Sequence, residues 1–461
     1  MYFQQFYLTC LSHASYMIGS GGIAAVIDPQ RDVSIYLEEA AKQHLKIQHI
    51  IETHLHADFV SGHRELAAST GASIYLGAKA GAKFPHVAVQ DGQQISFGQC
   101  RLRFLETPGH TVESVSILVT DLDRSPEPFA VFTGDTLFIG DVGRPDLSGD
   151  KTPQELAALL YDSLQQKLLK LPDTVEIYPA HGAGSLCGKQ MSCDRASTIG
   201  KERITNYALQ AKTRNEFVQL ITAELPEKPG YFALDAEINR AGAPSLAELP
   251  PLAPMGPEQV VAAQEKGAII LDTRPDDQFA LAHVPNSVHI GLSGQFAFWA
   301  AALLGLEKEL VLMAEDFQKV EEARTRLARV GVEHVIGYLA DGIAGWTQGG
   351  LPVQEAPRIS FQDLNSLLQE QPANVQVIDV RRPAEWSAGH IPSAVLKPLD
   401  RITTLLNGMD RTAPVVVHCK GGYRSSIAAS LLLRAGFTQV MDLLGGFDAW
   451  QLCNLPYTRE K

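Results

Sequence analysis

The chain has 461 residues, of which 45% are hydrophobic and 20% charged, and a formal net charge of -13. That length suggests roughly two to four domains of ordinary size. The acidic balance excludes a general nucleic-acid binder, which needs a basic face to neutralise phosphates, and no apolar run is long enough to span a bilayer.

The segment Met1 to Tyr7 lacks a basic stretch followed by an apolar core, so no signal peptide is expected. The cysteines Cys10, Cys100, Cys187, Cys193, Cys419 and Cys453 are too scattered for a disulfide framework. Free thiols in a reducing cytoplasm are the expectation, in a soluble protein.

The first half alternates short apolar runs with polar loops. Ile23 to Ile27, Ile47 to Thr53, Ser73 to Tyr75 and Phe129 to Thr133 read as buried strands. Thr152 to Leu171 reads as an amphipathic helix stopped by Pro172. Several strands end in His or Asp, which suits an α/β sandwich with its chemistry on loops at strand ends.

Four elements concentrate metal-ligand chemistry. Thr53-His54-Leu55-His56-Ala57-Asp58-Phe59 comes first. Thr107-Pro108-Gly109-His110, Thr133-Gly134-Asp135-Thr136 and Tyr178-Pro179-Ala180-His181-Gly182 follow, each after an apolar strand. Any one alone reads as an ordinary loop histidine held by hydrogen bonds. Four in this order resemble the metallo-β-lactamase superfamily. The resemblance implies an αββα sandwich.

Phe59 departs from the hydrolase branch of that superfamily, where His-x-His-x-Asp-His feeds two metals and the last histidine belongs to the second. A phenyl ring cannot coordinate a cation. The remaining set of His54, His110 and Asp135 resembles that of the persulfide dioxygenases. Two imidazoles and one carboxylate suit Fe(II) with open positions for O₂ and substrate, one iron per chain. Zinc is the competing metal. His56, Asp58 and His181 are then expected to orient ligands and bound water by hydrogen bonds.

Arg144, in Gly143-Arg144-Pro145-Asp146, resembles the arginine that family members place near the substrate. It is expected either to grip the carboxylate of a thiol such as glutathione or to form a structural salt bridge. Ser192 to Lys201 is unusually polar. Cys187 and Cys193 read as structural thiols, with the alternative that Cys193 meets substrate sulfur at the mouth of the metal pocket.

Ala241 to Pro257 is rich in Pro and Ala and reads as a linker, with a shorter break at Pro352 to Pro357. The rest is a repeat. Leu271-Asp272-Thr273-Arg274 matches Ile378-Asp379-Val380-Arg381, and His283-Val284-Pro285 matches His390-Ile391-Pro392. Gly345-Trp346 and Leu351-Pro352 match Ala449-Trp450 and Leu455-Pro456. Each unit reads as a small domain with a parallel sheet and flanking helices. The expected domains are residues 1–245, 246–355 and 356–461.

Val415 to Cys419 reads as a buried strand ending at a thiol, followed by Lys420-Gly421-Gly422-Tyr423-Arg424-Ser425 and a helix from Ile427 to Ala435. Backbone N–H groups in such a loop form an anion nest that favours a thiolate or a persulfide. Cysteine phosphatases use a loop one residue longer, because a tetrahedral oxyanion needs a wider cradle. With Asp379-x-Arg381 and Trp450, the segment resembles an active rhodanese. Cys419 and Arg424 are its expected catalytic groups, and Lys420, Gly421, Gly422, Tyr423 and Ser425 its expected substrate-binding loop. The other repeat has Ala314-Glu315-Asp316-Phe317-Gln318-Lys319 there, with no thiol and two carboxylates. It is expected to be inert, with a structural or docking role.

Nearly the whole chain therefore resembles bacterial persulfide dioxygenase–sulfurtransferase fusions. The resemblance implies a low-molecular-weight thiol persulfide, O₂ and sulfite as partners. It further implies thiosulfate as product and sulfide detoxification as the role, in a homo-oligomer without nucleic acid or membrane. A thioester hydrolase with a sulfurtransferase appendage and a non-catalytic sulfur carrier or sensor are the alternatives.

Overall fold

The structure is a computed structural model that describes residues 1–223, 225, 227–370 and 375–460. The chain folds as two compact units. The first is Met1–Leu249 with Ala328–Gly331, and the second Pro250–Leu327 with Val332–Lys461.

The first unit is built on two six-stranded sheets. One carries, in spatial order, Tyr2–Leu8, His13–Ser20, Ile23–Ile27, Lys46–Ile51, Ser73–Gly77 and Val87–Val89. The other carries Ser197–Thr198, Glu176–Pro179, Ala130–Gly134, Val115–Asp121, Cys100–Glu106 and Gln94–Phe97. Alternate residues of each strand point to opposite faces. Ile18, Ala25, Ile27 and Ile51 therefore meet Leu102, Phe104, Ile117 and Phe132 in a core between the sheets. The opposite faces are covered by helices. Met17, Val26 and Ile50 pack with Tyr36, Ala40 and Leu66 of helices Ser34–Lys42 and His63–Thr70. Leu118, Val131 and Ile177 pack with Leu160, Leu164, Phe217 and Ile221 of helices Pro153–Gln166 and Arg214–Thr222. The result is the expected αββα sandwich.

Ile23–Ile27 forms with the anticipated bounds, and the other three anticipated strands form with edges moved by one or two residues. The helix expected over Thr152 to Leu171 is shorter. Thr152 caps it in a reciprocal box with Glu155, and it leaves α-geometry at Lys167, where a short 3-10 turn Leu168–Lys170 takes over.

Each repeat of the second unit is a five-stranded parallel sheet. The orders are Pro254–Met255, Val335–Leu339, Leu310–Met313, Ile269–Asp272, Val288–His289 and, in the second, Arg358–Ile359, Val440–Leu443, Val415–His418, Gln376–Asp379, Ala394–Leu396. The two orders are topologically identical. The Pro- and Ala-rich stretch read as a linker is partly structural: its residues Pro254 and Met255 pair with Tyr338 and Leu339 as an edge strand. Among the described residues no helix is long and apolar enough to cross a membrane.

Candidate metal and sulfur-transfer sites

In the first unit, strand Lys46–Ile51 delivers Glu52 to Ser61 as a fully buried loop. Buried backbone in a loop must find partners, and here side chains supply them. Asp28 accepts from the Thr53 N–H at 2.7 Å and from the Thr53 hydroxyl at 2.9 Å. Glu113 accepts from the Leu55 N–H at 3.1 Å. Asn239 donates to the His56 and Phe59 carbonyls, both at 2.7 Å, and accepts from the Ser61 N–H at 2.8 Å.

His54, His110 and Asp135 each offer a ligand atom, all within 4.8 Å of one another and all buried. Nε2 of His110 lies 3.4 Å, and that of His54 3.9 Å, from Asp135 Oδ2. The opposite ring nitrogens are tied down. His110 Nδ1 sits 2.9 Å from the Arg144 carbonyl and therefore donates to it. His54 Nδ1 sits 3.0 Å from Thr53 Oγ1, whose own proton goes to Asp28, so this nitrogen also donates. Both Nε2 atoms are left as lone-pair donors aimed at Asp135, whose carboxylate oxygens have no hydrogen-bond partner among the described residues. Burial lowers the pKa of both histidines and keeps them neutral, as a ligand must be. Orphaned carboxylate oxygens facing two oriented imidazoles in a buried site fit a divalent cation.

Glycines allow this convergence. Gly134, at φ +52°, leaves no room for a Cβ against Thr53, and one on Gly143 would strike the Asp135 carbonyl.

The three groups expected around that set, His56, Asp58 and His181, are buried together as a further cluster of potential ligands beside it. Asp58 and His181 face it: His181 Nε2 lies 3.5 Å from Asp58 Oδ2 and 3.7 Å from Asp135 Oδ1. His56 joins them in that cluster, and its Nε2 also lies 3.3 Å from Asp28 and 3.4 Å from Glu52. Burial works against its charge, but the carboxylates of Asp28, Glu52 and Asp58 raise its pKa to about 9. Phe59 is buried, its ring centroid 4.4 Å from that of His56 and 4.2 Å from that of His13.

The structure places both residues expected near the pocket. The guanidinium of Arg144 is buried and its fork is closed on Asp146, with Nε and Nη2 at 2.7 and 3.0 Å. It forms the structural salt bridge rather than an open grip for a substrate carboxylate. Cys193 is exposed; the buried thiol is Cys187, which lies with Asp135 and His181 in one cluster of potential ligands. Burial pushes its pKa well up, reinforced by Asp58 and Asp135.

In the second unit, Cys419 is buried at the end of strand Val415–His418 and accepts from the Gly422 N–H at 3.1 Å. Gly422 has φ +119°, which lets the loop curl around the sulfur before helix Tyr423–Arg434 begins. That helix starts four residues earlier than the apolar pattern from Ile427 suggests. The Ser425 hydroxyl donates to the Gly422 carbonyl at 2.9 Å, while Lys420 is exposed. Phe447 and Asp448 donate their N–H groups to the carbonyls of Cys419 and Lys420 and hold the loop's far side. Arg424, expected to serve an anion, is engaged by Glu385 at 2.6 and 2.7 Å. It ties the loop to helix Pro383–Ala388, and the backbone N–H of Gly422 is directed at the sulfur.

Comparison with known proteins fits this geometry. Residues 8–181 match the family model "Metallo-beta-lactamase superfamily", and 256–349 and 360–453 each match "Rhodanese-like domain". A persulfide dioxygenase, "ETHE1, mitochondrial", of Bos taurus is 31% identical over 47% of this chain and 78% of its own length. A hydroxyacylglutathione hydrolase of Hahella chejuensis is 30% identical over 48% and 81%. The chain belongs to the metallo-beta-lactamase superfamily and carries two rhodanese-like domains. A crystal structure described as a metallo-beta-lactamase from Staphylococcus aureus subsp. aureus COL superposes on this metallo-beta-lactamase–rhodanese chain with a TM-score of 0.67. It is 33% identical and covers 73% of this chain and 98% of its own.

The residues that sequence reasoning missed in this superfamily member are Asp28, Glu113 and Asn239, which pin the ligand loop, and Glu385 under Arg424. Asp28 carried a faint signal, an acidic residue directly after a buried strand. The others reach their targets only through the fold.

Proposed function

We propose that the chain is an iron-dependent persulfide dioxygenase coupled to a sulfurtransferase, forming thiosulfate. Residues 1–245 would hold the iron, 246–355 the thiol-less repeat and 356–461 the sulfur carrier. The observation that carries this reading is the convergence of two pre-oriented Nε2 atoms and one orphaned carboxylate at His54, His110 and Asp135, with Phe59 in place of a further imidazole. A site of that kind leaves coordination positions free. The likeness to the persulfide dioxygenase of Bos taurus supports it.

Bound at that site, Fe(II) would supply one-electron chemistry with O₂ and polarise the substrate sulfur. His54 and His110 fix the site's orientation through Thr53 and the Arg144 carbonyl. Asp135 supplies negative charge, and the buried loop keeps bulk water from the reacting sulfur. The net reaction is RSSH + O₂ + H₂O → RSH + HSO₃⁻ + H⁺. At the second site the Cys419 thiolate attacks the outer sulfur of another persulfide. The S–S bond breaks and RSH leaves. Sulfite then takes the outer sulfur as thiosulfate and returns the thiolate.

The test is metal quantification on anaerobically purified protein, followed by oxygen uptake with a panel of thiol persulfides. One iron per chain is expected. His54→Ala and Asp135→Ala should lose iron and oxygen uptake together. The Hahella relative motivates one rival outcome. Two metals per chain with hydrolysis of a glutathione thioester and no oxygen uptake would establish the hydrolase reading instead.

A further inference from the structure

Besides the contacts within its own repeat, the loop that carries Cys419 is held from outside it. Helix Tyr423–Arg434 begins directly after the Gly422 whose N–H meets the sulfur. One face of it, at positions i, i+7 and i+11, presents Tyr423, Ser430 and Arg434. All three meet the thiol-less repeat. The Tyr423 hydroxyl donates to the Gly291 carbonyl at 3.0 Å. The His289 N–H donates to Ser430 Oγ at 3.0 Å in a buried contact. Arg434 donates to the Asn286 carbonyl. The Tyr423 ring lies flat against Gly294: a Cβ there would sit 3.2–3.4 Å from three of its carbons.

The receiving segment is itself pinned. Arg326, on helix Phe317–Ala328, donates to the Leu292 carbonyl and, at 3.2 Å, to the Gly294 carbonyl. A continuous set of contacts therefore runs from Arg326 through residues 291–294 to Tyr423, at the mouth of the sulfur cradle.

We propose that the thiol-less repeat is a positioning module for sulfur transfer, and that Tyr423 is the positioning residue through which it sets the Cys419 loop. This rests on the reading that Cys419 carries sulfur. A nest works only if its N–H groups converge on one point, and backbone donors are lost to alternative loop conformers unless something outside the loop selects one. A helix start fixed at Tyr423 and again at Ser430 and Arg434 selects that conformer. It also gives a repeat without chemistry a reason to retain the face that packs on this helix.

The experiment uses the full chain loaded with its metal. Thiosulfate is added in single turnover, and formation of the Cys419 persulfide is followed by the mass gain of one sulfur. In that step the thiolate attacks the sulfane sulfur of thiosulfate and sulfite leaves. Hydrogen exchange of residues 419–426 is recorded in parallel. Tyr423→Phe removes only the hydroxyl, and Arg326→Ala leaves every residue of the active repeat in place. Each should slow loading by roughly tenfold and speed exchange at 419–426, and Arg326→Lys should restore part of both. Oxygen uptake should not change. Unaltered loading and exchange in both variants overturn the brace, as does slower loading without faster exchange. If Cys419→Ser still transfers sulfur, the sulfur-carrier reading is wrong, and the exchange data on Arg326→Ala still decide the brace.

Discussion

The two rhodanese-like repeats share a scaffold and differ at one loop. Arg274 grips Asp272 through Nε and Nη2 at 2.9 and 2.7 Å and the Ala282 carbonyl at 2.8 Å. Arg381 grips Asp379 at 2.9 and 2.6 Å and the Gly389 carbonyl at 2.7 Å. Trp346 and Trp450 each donate to the carbonyl six residues on, both at 2.8 Å. His283 and His390 each pair with a distant backbone strand through an isolated bridge. The motifs that make the repeat visible in the sequence are therefore the motifs of the fold. They say nothing about chemistry, which sits in the few residues after the central strand.

The largest effect expected from that difference is on turnover. Cys419→Ser should lower sulfur transfer by about 10³-fold or more, since a hydroxyl cannot carry sulfane sulfur at neutral pH. Oxygen uptake should persist while the product shifts from thiosulfate to sulfite, read by chromatography. Thiosulfate at the unaltered rate, after correction for the uncatalysed reaction, would falsify the coupled mechanism.

Next comes the shared scaffold. Arg274→Ala and Arg381→Ala each strand a buried carboxylate, at about 3–5 kcal/mol. The second should cost more by roughly 0.5–1 kcal/mol, because Arg381 also lies over the Phe447 ring at 4.1 Å. Hydrogen exchange resolved by repeat measures both. An equal loss of protection in the two variants, each read in its own repeat, would show that the Phe447 contact adds nothing to the second ion pair.

The same contrast explains what was legible beforehand. A short-range pattern such as Asp-x-Arg or a His–His–Asp loop is local in sequence, and both are found where expected. Asn239 binds the loop at His56 across the whole metallo-beta-lactamase fold, and no local pattern marks an asparagine in a helix for that task. Arg144 and Arg424 were legible as arginines beside a site, but their partners Asp146 and Glu385 decide what they do. Distinguishing Cys187 from Cys193 required burial, which a loop without periodicity does not encode.

A smaller effect belongs to the active repeat alone. Asp442, on strand Val440–Leu443, corresponds to Tyr338 on strand Val335–Leu339. Burial raises its pKa to about 7, with Ser425 and Arg358 pulling the other way. Between the ordinary aspartate value, about 3.9, and about 7, the folded chain holds a proton that the unfolded chain releases. Stability of this repeat should therefore fall as pH rises through that window and level off above it. Asp442→Asn should flatten the slope and stabilise the repeat at pH 8 by on the order of 1–2 kcal/mol. Exchange protection measured from pH 5 to pH 8 checks it, and a slope retained in the variant would assign the titration elsewhere.

The smallest expected effect is none at all. Ala314→Cys puts a thiol where Cys419 has its counterpart, at the end of strand Leu310–Met313. Made in a Cys419→Ser background, it leaves the new thiol as the only candidate carrier in either loop. Three residues lie between Cys419 and the start of its helix, but only Glu315 and Asp316 lie between Ala314 and helix Phe317–Ala328. The shorter loop has no glycine to take the conformation of Gly422. Asp316 already accepts the Lys319 N–H at 2.8 Å, which closes the helix start to an anion. Glu315 is held by Gln278 at 2.8 Å and keeps its negative charge beside the position. Thiosulfate, a dianion, meets repulsion rather than converging donors, so transfer to cyanide should stay at the level of the Cys419→Ser parent. Activity restored to within tenfold of the unaltered chain would mean that a thiol alone suffices and that the loop of the active repeat contributes little. Adding glycines after the introduced thiol should then change nothing, whereas a nest-dependent site should gain activity only when loop length, glycines and thiol are restored together.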